Sequence, residues 1–116
     1  WRYNWSLVPS PDLDLSTRAY ASVQPLFESM TAADVGQRCY LRTERQTLSR
    51  LPHSGAILFT IHSYRTALDA LTADPAWAQR FLDVVEQASP ALLRYKSVAP
   101  IEALLRAYLA DRAQAS

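Results

Sequence analysis

Side chains able to do acid–base or ion-pair chemistry gather between Tyr40 and His62, where two strand-like runs flank one turn. In the first run Tyr40, Arg42, Glu44, Gln46 and Leu48 alternate onto one face, and Cys39, Leu41, Thr43, Arg45 and Thr47 onto the other. Successive residues of such a row stand roughly 7 Å apart. Glu44 between Arg42 and Gln46 can take or give a proton, and an arginine can grip a ligand carboxylate in a two-pronged fork. That chemistry requires the row to look into a cavity, with Glu44 as the candidate catalytic residue. The same spacing also fits a solvated face of an antiparallel sheet, with Arg42 and Glu44 in weak cross-strand pairs.

Two histidines accompany the row. His62 closes the second run and would lie beside the charged face if Glu44 paired opposite residue 60 or 62, a register the sequence leaves open. A histidine at a strand end is otherwise a hydrogen-bonded structural residue, and His53 falls in the loop. Cys39 has no basic partner legible in sequence, and no Gly-x-Ser-x-Gly elbow is present. With Gly36 and Gly55 as its two glycines, the chain holds no Gly-rich phosphate loop.

The elements that must position these residues follow from pattern. Ala56 to Ile61 is apolar on both faces, which predicts an interior strand covered on both sides. Leu51-Pro52-His53-Ser54-Gly55 supplies a hairpin loop, with a proline that cannot pair and a glycine free to take positive φ. Strands are expected over 1–8, 38–50 and 56–63. The first has an aromatic face of Trp1, Tyr3 and Trp5, fit for a core or for a ligand wall. Pro9-Ser10-Pro11-Asp12 stops it, and the stretch from Leu13 to Val35 reads as mostly irregular, with a short helix near Leu26 to Met30 and a helix-start pair in Thr31 and Asp34. Beyond the hairpin the period becomes that of helices, expected over 66–73, 76–88, 90–96 and 100–112. Asp74-Pro75 and Ser89-Pro90 are cap-plus-proline starts. Trp77, Phe81, Val84, Val85 and Ala88 form one stripe, and Ile101, Leu104, Leu105, Tyr108 and Leu109 another. Strands first and helices after predict an α+β fold in a single domain, or a fragment of a larger one.

Composition narrows the classes. The 116 residues are 49% hydrophobic and 20% charged, ordinary for a globular domain. Twelve basic against eleven acidic residues leave a net charge of +1, scattered rather than massed, so neither nucleic acid nor a membrane surface is an expected partner. No apolar run reaches the roughly 20 residues of a bilayer span. A lone cysteine excludes an internal disulfide and points to a reducing, cytoplasmic setting. The chain opens on Trp1 without an initiator methionine and is expected to start in mid-fold.

Three runs carry a resemblance: Trp1-Arg2-Tyr3-Asn4-Trp5-Ser6-Leu7, Leu41 to Leu48, and Leu51-Pro52-x-Ser-Gly-Ala-Ile-Leu-Phe-Thr-Ile, joined by the triplet Arg94-Tyr95-Lys96. Together they resemble the C-terminal part of the haem-dependent oxidative N-demethylase family, which takes in dimethylamine monooxygenase haem subunits. The resemblance implies a PAS-like fold, an antiparallel sheet cupping haem with flanking helices. It implies oxygen-dependent demethylation of a small secondary amine, with electrons from a flavin- or ferredoxin-type reductase. Arg42, Glu44, Arg45 and Gln46 fall on the family's charged strand, and Trp1 and Trp5 on its Trp-Arg-x-Asn-Trp strand. Trp5, Arg42, Arg45, Gln46 and His62 are thus the cofactor-binding candidates and Glu44 the catalytic one, while the axial histidine is expected from an upstream portion. A PAS-like ligand-binding or subunit-interaction module without catalysis is the alternative that the same cup allows.

Overall fold

Period-two alternation builds three strands, β1 (Arg2–Val8), β2 (Tyr40–Arg50) and β3 (Ile57–Ala67), in a computed structural model that describes residues 1–11 and 23–115. They form one antiparallel sheet in the order β1-β2-β3. The register is continuous: Asn4, Glu44 and Ser63 lie abreast, as do Ser6, Arg42 and Arg65. Gly55 turns the hairpin at φ 75°, and Leu51 and Ala56 close it with an N–H···O bond of 2.8 Å.

Helices follow: α1 (Val23–Glu28) and α2 (Val35–Arg38) between the first two strands, then α3 (Leu68–Leu71), α4 (Pro75–Gln87), α5 (Pro90–Tyr95), a 3-10 turn at Ala99–Ile101, and α6 (Glu102–Gln114). The arrangement is α+β, as the order of periods predicts. Local chemistry starts α4 and α5 at the expected cap-plus-proline signals, whereas α3 begins at Leu68 and α6 at Glu102, each later than expected and without a side-chain cap. The Asp74 carboxylate accepts the Ala76 N–H at 2.9 Å and the Ser89 hydroxyl accepts the Leu92 N–H at 3.1 Å, each just before a proline whose missing N–H costs nothing there. The Asp34 carboxylate accepts the Thr31 N–H at 2.8 Å, and that bond, with Arg38 beside it, holds its pKa below the ordinary value. The helix expected near Leu26 to Met30 forms slightly earlier, and residues 12–22 of the stretch read as irregular lie outside the described residues.

One core joins the helices to the base of the sheet. Leu7, Phe27, Val35, Leu68, Leu105 and Leu109 are among its most deeply buried side chains, and Trp5 packs edge-on against Phe81 at 5.6 Å. The stripe on α4 is displaced from the expected one: Ala78, Phe81, Leu82 and Val85 are buried while Val84 is exposed, because α6 meets the helix one position round from the most apolar line. The main correction concerns β3. It was expected as an interior strand, yet it is an edge strand that runs on to Ala67, and residues 57–62 are exposed on both faces. An apolar run specifies that a strand can be covered, not what covers it.

Candidate functional site

The face of β2 that carries Arg42, Glu44 and Gln46 is shielded along these three residues. Gln46 is buried, and the Arg42 and Glu44 side chains are 11% and 20% exposed. Their polar atoms form a line across three strands. Arg2 Nε donates to Gln46 Oε1 at 2.7 Å, and Gln46 Nε2 donates to Glu44 Oε2 at 3.1 Å. Glu44 Oε1 stands 3.2 Å from Arg42 Nη2, which also donates to Ser63 Oγ at 3.1 Å. Each Glu44 oxygen therefore has one partner and keeps a lone pair for another donor. Two nitrogens of Arg42, Nε and Nη1, are buried with no hydrogen-bond partner.

Lys96 reaches this face from the helical side. It caps α5, and Ser97 follows it in the left-handed region at φ 62°. Val98 N–H returns to Leu93 O at 2.8 Å and Ser97 N–H to Arg94 O at 3.1 Å, the paired bonds of a Schellman ending, with Leu93 and Val98 both in the core. That reversal lays Lys96 along the edge of β1. Its carbonyl accepts the Leu7 N–H at 2.9 Å, its Nζ donates to Asn4 Oδ1, and the amine sits 5.3 Å from the Trp5 ring centroid. Burial lowers the Lys96 pKa, the Arg2 charge adds to that, and Glu44 opposes it.

Toward the hairpin end the same face turns apolar. Leu48, Phe59 and Ile61 are all exposed, and a cavity of about 350 Å³ joins Leu48 and Phe59 to Arg2, Gln46, Trp1 and Thr47. The face thus grades from an apolar ledge into a row of guanidinium, carboxylate and amide.

The structure brings together Arg42, Glu44 and Gln46 from the expected set and separates the rest. Glu44 lies opposite Ser63, so the register that would put His62 beside the charged row is not the one formed. His62 pairs with Arg45 on the opposite face, where its ring stacks on Tyr64 at 4.5 Å and Arg45 covers Trp1 at 5.8 Å. Trp5 shares that opposite face and meets the row only through Lys96. Sequence reasoning missed Lys96, Arg2 and Asn4 as neighbours of Glu44. The signal available was their presence in the two runs quoted for the resemblance, far apart in the chain. Cys39 is fully buried and its thiol is pushed up to about 12 by burial, so it is no nucleophile.

A family model described as haem-dependent oxidative N-demethylase, alpha subunit-like, matches residues 1–105. The chain belongs to this family. The match spans all three strands of the polar row and the α5 ending that delivers Lys96, so the site lies wholly within it. Haem is a flat apolar disc with two carboxylates on its rim, and the site of this N-demethylase-like chain suits that rim: an open apolar ledge continues into a polar row in which Arg42 has two unmet hydrogen bonds. The fit does not extend to the iron: His62 lies on the opposite face of the sheet and His53 in the hairpin loop, so neither histidine offers an axial ligand from this face. No helix among the described residues is long and apolar enough to cross a membrane.

Proposed function

We propose that this chain is part of an oxygenase that removes a methyl group from a small secondary amine, with electrons supplied by a flavin- or ferredoxin-type reductase in the cytoplasm. The observation that carries the reading is the shielded Arg42–Glu44–Gln46 line bordering an exposed apolar ledge, within a chain of the haem-dependent oxidative N-demethylase family. Haem, when bound, supplies the oxygen chemistry. The ledge of Leu48, Phe59 and Ile61 would lie against the disc and keep water from it.

Glu44 has the decisive role in this reading. Gln46 and Arg42 hold one carboxylate oxygen each, which fixes the group's orientation and leaves one lone pair per oxygen to accept an N–H of the substrate ammonium. Lys96 and Asn4 stiffen the rim beside it. Trp5 acts through Lys96, whereas Arg45 and His62, on the other face, take no part. The edge of β3, unpaired among the described strands, supports reading the sheet as part of a PAS-like cup. The exposed apolar hairpin end also favours a second reading, a subunit-interaction module without catalysis.

Expression of the full-length protein separates the two. The oxygenase shows a Soret band that shifts on adding dimethylamine, and Glu44→Gln weakens that amine response by on the order of tenfold with haem content unchanged. A full-length protein without a Soret band ends the oxygenase reading.

A further inference from the structure

We infer that the polar face of the sheet is a subsite for a carboxylate-bearing ligand, gripped by Arg42 and flanked by Arg2, Arg65 and Lys96. Charge is the first argument. Arg65 lies directly across from Arg42, so two guanidinium groups share one face of adjacent strands, a like-charge pairing that costs stability unless an anion lies between them. Arg2 and the Lys96 amine approach from the β1 side, the latter through Asn4. Against these four cations the described residues set one carboxylate, Glu44, already paired with Arg42 and bonded to Gln46. The Arg65 side chain has no hydrogen bond or ion pair among the described residues.

Unmet hydrogen bonding is the second argument. Arg42 Nε and Nη1 are buried donors without partners, whereas its Nη2 serves both Glu44 and Ser63. A buried charged donor left unsatisfied is costly, and a charge-assisted bond to a carboxylate oxygen is a strong way to meet either of them. A neutral acceptor could meet the orphaned donors but not the excess charge, and a cationic ligand would meet neither. Exposed Arg65, directly across from the shielded Arg42, gives an incoming acid its first contact, with exposed Arg2 farther along the same face opposite Gln46.

Two sources share this chemistry, the rim carboxylates of haem and a free dicarboxylic acid. The haem source rests on the reading proposed above and the free acid does not. The test titrates full-length protein with haem, with haem dimethyl ester, whose carboxylates are masked, and with glutarate, in wild type, Arg42→Lys and Arg65→Gln. Arg65 is exposed, so Arg65→Gln keeps the fold intact if Arg42→Lys does not. For haem, Arg65→Gln should weaken binding roughly fivefold and Arg42→Lys on the order of tenfold, both losses shrinking in high salt, with the dimethyl ester unaffected. The same losses for glutarate alone keep the subsite and assign it to a small acid. Equal wild-type affinity for haem and its ester, with no arginine-dependent glutarate binding, overturns the subsite while leaving haem binding in place. If wild type binds no haem, the oxygenase reading falls, and glutarate alone decides the subsite: binding lost in the variants upholds it, and no binding overturns it.

Discussion

A buried lysine and a buried cysteine in this chain answer alkaline pH in opposite directions. Lys96 has a folded pKa below its ordinary 10.5, chiefly through burial, so the unfolded chain holds that proton to higher pH than the folded one. Stability from this group therefore rises as pH climbs from the lowered value toward 10.5. Cys39 is raised from 9.0 to about 12, so its contribution falls as pH rises across that interval. Comparing wild type with Lys96→Met cancels the Cys39 effect. The variant's relative stability should decline as pH is raised toward 10.5, as read from urea midpoints. A difference that stays flat with pH contradicts the burial of the amine against Arg2. In sequence, Lys96 looks like an ordinary surface lysine beside Tyr95, yet the structure exposes Tyr95 and buries Lys96, because the left-handed Ser97 rotates the chain end onto β1.

Helix ends and close approaches set the elements. Ser97 adopts a conformation that glycine enters freely and serine enters at a cost, and the Schellman bonds hold it there. Ser97→Gly should raise stability by about 0.5–1 kcal/mol by relieving that strain, partly offset by the freer unfolded chain, and thermal unfolding will register it. The opposite case is Gly36 in α2. A Cβ there would come within 2.6 Å of Tyr108 Oη, which bonds Thr72 Oγ1 at 3.0 Å and accepts from Arg112 Nε at 3.2 Å. Alanine gains up to about 1 kcal/mol of helix propensity, but overpacking costs about 1–3 kcal/mol, so Gly36→Ala should destabilise on balance. Adding Tyr108→Phe, which removes the obstructing hydroxyl, should recover part of the loss. A strictly additive double mutant in denaturant titrations would show that the clash is not the cause.

Across the whole molecule, packing is uneven. The radius of gyration is 16.2 Å, against roughly 13 Å for a compact chain of this length, because the β2–β3 hairpin projects beyond the helical body. Residues 57–62 are exposed on both faces, whereas Leu105 and Leu109 are wholly buried. Hydrogen exchange should accordingly proceed first in 57–62, next in 63–67 where β3 nears the helices, and last in the middle of α6. Strong protection of 57–62 in this chain by itself would mean that the ladder to β2, rather than tertiary cover, secures the hairpin.

What the sequence determined was local. Alternation marked β1 and β2, Gly55 and Pro52 marked the turn, and Asp74-Pro75 and Ser89-Pro90 marked helix starts, since each depends on neighbours within a few residues. The charged row of Arg42, Glu44 and Gln46 was legible for the same reason. The tertiary structure alone decided what stands beside that row. Strand register is a choice between pairings one residue apart, and the one adopted sets Glu44 opposite Ser63 and sends His62 to the other face. The edge position of β3 and the arrival of Lys96 at Asn4 depend on contacts between segments distant in the chain, which no local pattern encodes.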